Sequence, residues 1–203
     1  AVEVDGFKVG GYIPVCNAVL EDSLINLANY IETKLATAIA KALDKAIIAG
    51  TGASGKQPEG IINGLTATAL SDNKLSTILA TMGARKKENL GEVKIAMRRA
   101  DYFGTVFDQL VGETAAGQMV MPNLGQPNVA GIEIIFTDDV PAGNFIIGDF
   151  KKYILAERSG TRFEVSSHVQ FIQDNTVFKM TARYDGKPVD ADYFAYYSFT
   201  PAA

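Results

Sequence analysis

The sequence predicts an α+β fold. Three observations carry the prediction: an alanine-rich run at helical spacing early in the chain, a last third dominated by β-formers, and glycine- and proline-rich stretches between them. The 203 residues suffice to bury roughly 70% of the surface exposed by the unfolded chain. Hydrophobic residues at 47% and charged residues at 21% are ordinary for a globular protein and exclude a wholly disordered chain.

Taken in order, residues 1–16 read as a strand through Val2, Val4, Val9, Tyr12, Ile13 and Val15, interrupted by Gly10-Gly11. Pro14 confines that strand to an edge or an end. Residues 22–49 are the clearest element. Leu24, Leu27, Ile31, Leu35, Ala38, Leu43 and Ala46 form a helical stripe that Ala28, Ile39 and Ile47 widen. Asp22 and Ser23 are expected to cap this helix, and Gly50 is expected to end it in a left-handed conformation. Its length would be about 40 Å. The stretch 50–73 is rich in breakers and reads as a long loop. A helix is expected at about 74–82, a buried strand at 92–97, a helix at 98–110 and a second loop at 111–128.

The remainder is β-rich. Short strands are expected at 132–137, 144–147 and 153–157, and longer ones at 163–172, 177–184 and 191–199. Asp174-Asn175 would join the first two long strands. Tyr184-Asp185-Gly186-Lys187 has the sequence of a tight turn leading to the third, giving an antiparallel meander.

The candidate chemistry is sparse. No apolar run approaches the ~18 residues of a membrane span, so no membrane partner is expected. With 19 Lys plus Arg against 23 Asp plus Glu, the chain lacks the strongly basic balance of a dedicated nucleic-acid reader. Cys16 and His168 are each alone in the sequence. That excludes an internal disulfide, a cysteine zinc cluster and any site built on two histidines. Gly50-Thr51-Gly52-Ala53-Ser54-Gly55-Lys56-Gln57 almost spells a phosphate-binding loop, but Gln57 stands where Ser or Thr would hold magnesium, and a helix precedes the loop instead of a strand. His168 reads as a sheet-face residue, because its neighbour Ser167 points to the other side of the strand. Asp138-Asp139 and the pair Asp190 and Asp192 sit beside Pro141 and Pro188 and read as solvated turn acids. Arg98-Arg99 and Arg85-Lys86-Lys87 read as a basic helix face. Tyr193, Phe194, Tyr196, Tyr197 and Phe199 occupy both faces of one strand, so a second layer or a neighbouring subunit must cover them. No catalytic, cofactor-binding or metal-binding residues are assigned, and no cofactor is expected.

The landmarks together resemble a known family. Ile13-Pro14-Val15, Leu20-Glu21-Asp22-Ser23, the long helix ending in Gly50-Thr51-Gly52, and Gln57-Pro58-Glu59-Gly60-Ile61 resemble the major capsid proteins of tailed bacteriophages. So do Ile146-Ile147-Gly148-Asp149-Phe150 with Tyr153-Ile154 and Arg158, and Arg183-Tyr184-Asp185-Gly186 before an aromatic last strand. The resemblance implies the Hong Kong ninety-seven phage capsid fold. A peripheral domain (1–65 and 148–203) would hold a spine helix at 22–49 and a β-ribbon at 160–199. An axial domain (66–147) would hold a mixed sheet flanked by helices. The family's N-terminal arm and most of its extended loop would be absent here, and no cross-linking residue is transferred; Asn175 is not one.

The resemblance further implies a structural subunit, not an enzyme, of an icosahedral phage or prophage head. Its partners would be copies of itself in pentamers and hexamers, a portal, a scaffold or a head-maturation protease, and packaged DNA held without sequence preference. Its place would be the virion, assembled in the bacterial host cytoplasm. The alternatives are an encapsulin-like nanocompartment shell, a nucleotide-binding enzyme using the 50–57 loop, and a monomeric binding module.

Overall fold

The computed structural model of the chain describes residues 6–23, 26–83, 92–110, 112–113, 119–120, 127–129 and 131–200. The chain opens with β1 (Phe7–Cys16), α1 (Asn17–Asp22) and α2 (Leu27–Ala49), then a 3-10 turn at Gly52–Gly55. There follow β2 (Thr68–Ala69), α3 (Leu75–Gly83), β3 (Lys94–Met97) and α4 (Arg99–Asp101), which runs through a π-helical turn at Tyr102–Val106 into α5 (Phe107–Leu110). Short strands β4 (Gly112–Glu113), β5 (Met119–Val120) and β6 (Asn128–Val129) precede β7 (Ile132–Phe136) and β8 (Asn144–Gly148). The end of the chain is built from β9 (Tyr153–Gln170), β10 (Asn175–Pro188) and β11 (Phe194–Ser198).

Two compact units result, Ala1–Gly60 with Leu155–Lys187 and Ile61–Ile154 with Pro188–Ala203. The first is a long helix on a three-stranded sheet ordered β1-β10-β9. β1 and β10 run antiparallel over ten pairs, from Phe7 opposite Tyr184 to Cys16 opposite Asn175. Burial alternates strictly along β1, as a strand with one covered face requires. The covered face meets α2. Ile31, Leu35 and Ile39, one turn apart, bury against Phe178 and Met180, with Val9, Ile13, Val15 and Phe163 at the margin. β1 is an edge strand, which is where Pro14 is tolerated.

α2 is shorter than the periodicity suggests. Residues 17–22 form their own helix, and Ser23 is extended at φ −74° and ψ 122°, so neither Asp22 nor Ser23 caps α2. Asn26 does, its side chain accepting from Asn29 N–H at 3.2 Å. No Gly or Pro interrupts the 23 residues that follow, which at about 1.5 Å each span about 35 Å. Gly50 ends the helix at φ −66° and ψ 141°, not left-handed. Its glycine has another cause: a Cβ there would lie 2.1 Å from Pro58 O, and one on Gly60 would lie 2.3 Å from Gly50 N. Gly60 N–H donates to Gly50 O at 2.9 Å, so the chain folds back on itself at a separation no side chain permits.

The second unit holds a six-stranded mixed sheet ordered β2-β11-β8-β3-β7-β6. β3 runs parallel to β7 and antiparallel to β8. Ile95, Met97, Phe145 and Ile147 bury on one face against Ile78 of α3 and Tyr102 and Val106 of the π-helical turn. Ala96 and Ile146 are buried on the opposite face. This is the expected mixed sheet flanked by helices.

Two strand expectations fail here. Tyr184–Lys187 is not a turn: β10 runs straight through to Pro188. Gly186 O accepts from Glu59 N–H at 2.8 Å, and buried Asp185 holds Gly186 N–H with its own carboxylate. The C-terminal strand consequently leaves the meander. β11 pairs antiparallel with β8, Phe194 opposite Gly148, and parallel with β2. Residues 61–65, 148–154 and 188–203, expected with the long helix, group instead with this second sheet; Val189 N–H also donates to Lys152 O at 2.9 Å.

Candidate assembly surface

The residues singled out for chemistry do not converge. The 50–57 loop spends its own donors internally: Gly52 N–H bonds Pro58 O, Lys56 N–H bonds Ala53 O and Gln57 N–H bonds Gly52 O. Gln57 Nε2 also donates to Thr51 Oγ1 at 2.8 Å. A phosphate cradle needs those N–H groups turned outward. Beside the loop lies a cleft of about 300 Å³, lined by Phe7, Leu43, Ala46 and Pro58 with Lys8 and Lys56 at its margin. Among the described residues no acid, histidine or cysteine lines it.

His168 is exposed on β9, its backbone N–H donating to Ser166 Oγ at 3.3 Å. Asp138 is exposed and lies 3.9 Å from Arg98 Nε. Asp139 accepts from Thr137 Oγ1 at 3.3 Å, and Asp190 accepts from Asp192 N–H at 3.0 Å, the local bonds of turn acids. Arg99 stacks over the Phe136 ring at 5.5 Å; Arg85, Lys86 and Lys87 lie outside the described residues. Among the described residues no group of three or more His, Cys, Asp or Glu side chains could hold a metal ion.

The C-terminal aromatics find cover within their own unit. Phe194 and Phe199 are buried, Tyr197 stacks on Phe145 at 5.5 Å, and Phe194 meets Phe150 edge-on at 5.8 Å. Burial pushes the Tyr196 phenol up, as it does Tyr102.

The unsatisfied surface lies elsewhere, at the tip joining β9 to β10. Phe171 is 78% and Ile172 94% exposed, with Val169 and Val165 open beside them. The tip that presents them is hydrogen-bonded. Asp174 adopts a left-handed conformation at φ 52°. Its carboxylate accepts from Asn17 Nδ2 at 2.6 Å, Asn17 Oδ1 accepts from Thr176 Oγ1 at 2.7 Å, and Asn175 Nδ2 donates to Gln170 Oε1 at 3.0 Å. A hydrogen-bonded frame thus holds large apolar side chains in water, the reverse of what a monomer favours. The sequence signal was available: only Gln173 separates Phe171-Ile172 from the Asp174-Asn175 turn, where a solvated tip would be polar.

Known proteins share this architecture. The phage capsid family model matches residues 1–199. The capsid of the native GTA particle superposes with a TM-score of 0.77 at 18% identity, over 98% of this chain and 74% of that one. The Mycobacterium phage Adephagia structure gives 0.67 at 14% identity over 98% and 73%. The holo-SrpI encapsulin complex from Synechococcus elongatus PCC 7942 gives 0.61 at 8% identity over 98% and 77%. None of the curated proteins matches the chain.

Proposed function

The chain belongs to the phage capsid family, and we propose that it tiles an icosahedral phage or prophage head, closing into pentamers and hexamers around a DNA genome. It is a structural shell subunit. In this reading the first unit is the peripheral domain and the second the axial domain that meets its copies around the ring axes. The subunit performs no catalysis and takes no nucleotide. Its further partners are a portal, a scaffold and a maturation protease, met during assembly in the bacterial cytoplasm.

One observation carries the reading: the exposed Phe171 and Ile172 on a hydrogen-bonded tip. Covering each by a neighbouring subunit is worth roughly 1.5–3 kcal/mol. A contact between unlike surfaces closes into rings when its rotation permits, and many weak contacts sum to a stable shell.

The test pairs the native chain with the double substitution Phe171→Asp and Ile172→Asp. The native chain gives rings or closed particles by negative-stain microscopy, whereas the variant stays monomeric on size exclusion with an unchanged melting midpoint. A native chain that remains monomeric at every concentration, or a variant that assembles equally well, overturns the proposal. A nucleotide titration leaves the melting midpoint where it was. The likeness to the SrpI encapsulin supports a second reading, a shell around protein cargo. Nuclease-protected nucleic acid inside purified particles decides for the phage head.

A further inference from the structure

The first unit's sheet has a second face, turned away from α2, and its charges are lopsided. On β10, Lys179 lies between the buried Phe178 and Met180, and Arg183 lies between buried Ala182 and core-packed Tyr184. Alternation therefore turns Lys179 and Arg183 outward. Lys8 is on the exposed register of β1, directly opposite Arg183. On β9, Arg162 and Glu164 flank the core-packed Phe163 and so point the same way.

Four cations thus share a face with Glu164, which pairs with Lys179 at 2.5 Å. Arg183 is anchored by two donations to Gly6 O, at 3.0 and 3.3 Å, and keeps its charge. The side chains of Lys8 and Arg162 make no ion pair among the described residues, although both lower the Glu164 carboxyl through space. Like charges set directly opposite each other weaken a sheet, so Lys8 beside Arg183 is an arrangement that folding alone disfavours.

We infer that this sheet face is a sequence-independent contact for the phosphate backbone of double-stranded DNA. The inference rests on the reading of the chain as a subunit enclosing a DNA genome, and it assigns that enclosure a surface. A strand face bearing long cationic side chains suits a charged polymer that offers repeated phosphates and demands no particular base. A second copy of the chain is the rival occupant, and the particle-yield arm of the experiment below separates it from a duplex.

The experiment measures binding of a fluorescent mixed-sequence duplex across a salt series, using the full chain. Each phosphate neutralised contributes about −0.9 to the slope of log affinity against log salt. The native face should give a slope of about −3, and the double substitution Lys8→Gln and Arg162→Gln should reduce it in size by about two. Lys179→Gln alone should reduce it by about one, guarding against a misfolded double variant. The control is Lys41→Gln with Lys45→Gln, which removes the same charge from the exposed side of α2 and should leave the slope unchanged. Three results overturn the inference: no salt-dependent binding by the native chain, an equal loss in the control, or variants that change particle yield while binding the duplex normally. If particles form and duplex affinity ignores Lys8 and Arg162, this inference alone falls. If no particles form, the shell reading falls first.

Discussion

In the second unit the central strands β3 and β8 have neighbours on both edges and cover on both faces, and Ile95, Met97, Phe145, Ile146 and Ile147 are wholly inaccessible to water. In the first unit only β10 has two strand neighbours. α2 covers one face of that sheet, and β9 carries its apolar side chains into solvent at the tip. The second unit keeps most of its apolar surface inside, with Phe103, Ile154 and Val189 partly open; the first leaves Phe171 and Ile172 almost wholly for something else to cover. The difference separates what the protomer needs to fold from what it needs to assemble.

The largest test of that contrast is Phe145→Ala. Phe145 is fully buried and packs on Tyr197 and Phe199, so truncation should cost about 3–5 kcal/mol in chemical denaturation. Leu35→Ala, at the contact between α2 and the sheet, should cost less, about 2–3 kcal/mol. By calorimetry each substitution should lower chiefly its own unit's transition. A single transition moved equally by both would break the contrast.

Gly50→Ala ranks third. The new Cβ would meet Pro58 O at 2.1 Å, and relieving that overlap should cost about 1–3 kcal/mol, seen as a lower denaturation midpoint.

The smallest effects are electrostatic, one in each unit. The hydrogen bond and charge of Lys179 hold the Glu164 carboxyl below its ordinary 4.5. The Thr77 hydroxyl, then the Lys74 N–H, hold Asp72 below its ordinary 3.8. A carboxylate with a depressed folded value stabilises fully above its ordinary value and loses that contribution as pH falls through the folded one. Melting midpoints should therefore fall with acidification below 4.5 for Glu164 and below 3.8 for Asp72. Glu164→Gln and Asp72→Asn should each remove their part of the slope. Added salt should flatten the Glu164 part, which relies on an exposed ion pair, and spare the Asp72 part, which relies chiefly on neutral donors.

How much of this was legible in the sequence depended on range. The Ile31, Leu35 and Ile39 spacing needed only the helical period, and the Asp174-Asn175 connection needed only local turn chemistry. Both are present. Tyr184-Asp185-Gly186-Lys187 has equally good turn chemistry, yet β10 continues because its backbone is paired with β1 at Tyr184 and bonded by Glu59 at Gly186. Those partners are far off in the chain, and no local pattern announces them. The destination of β11 was hidden for the same reason. Gly50 looked like a helix stop, and its true constraint, the carbonyl of Pro58, appears only once the loop has closed. The assembly surface was half visible: Phe171-Ile172 could be read as strand residues, but their exposure depends on where the turn falls.

β9 runs for 18 residues at the border of its sheet, so among the described residues one row of its backbone donors and acceptors has no strand beside it. A row of this kind templates indiscriminate pairing. Glu157, Arg158, Arg162 and Glu164 interrupt it with charge, as gatekeeper residues do. Neutralising them should therefore appear as lost yield during expression.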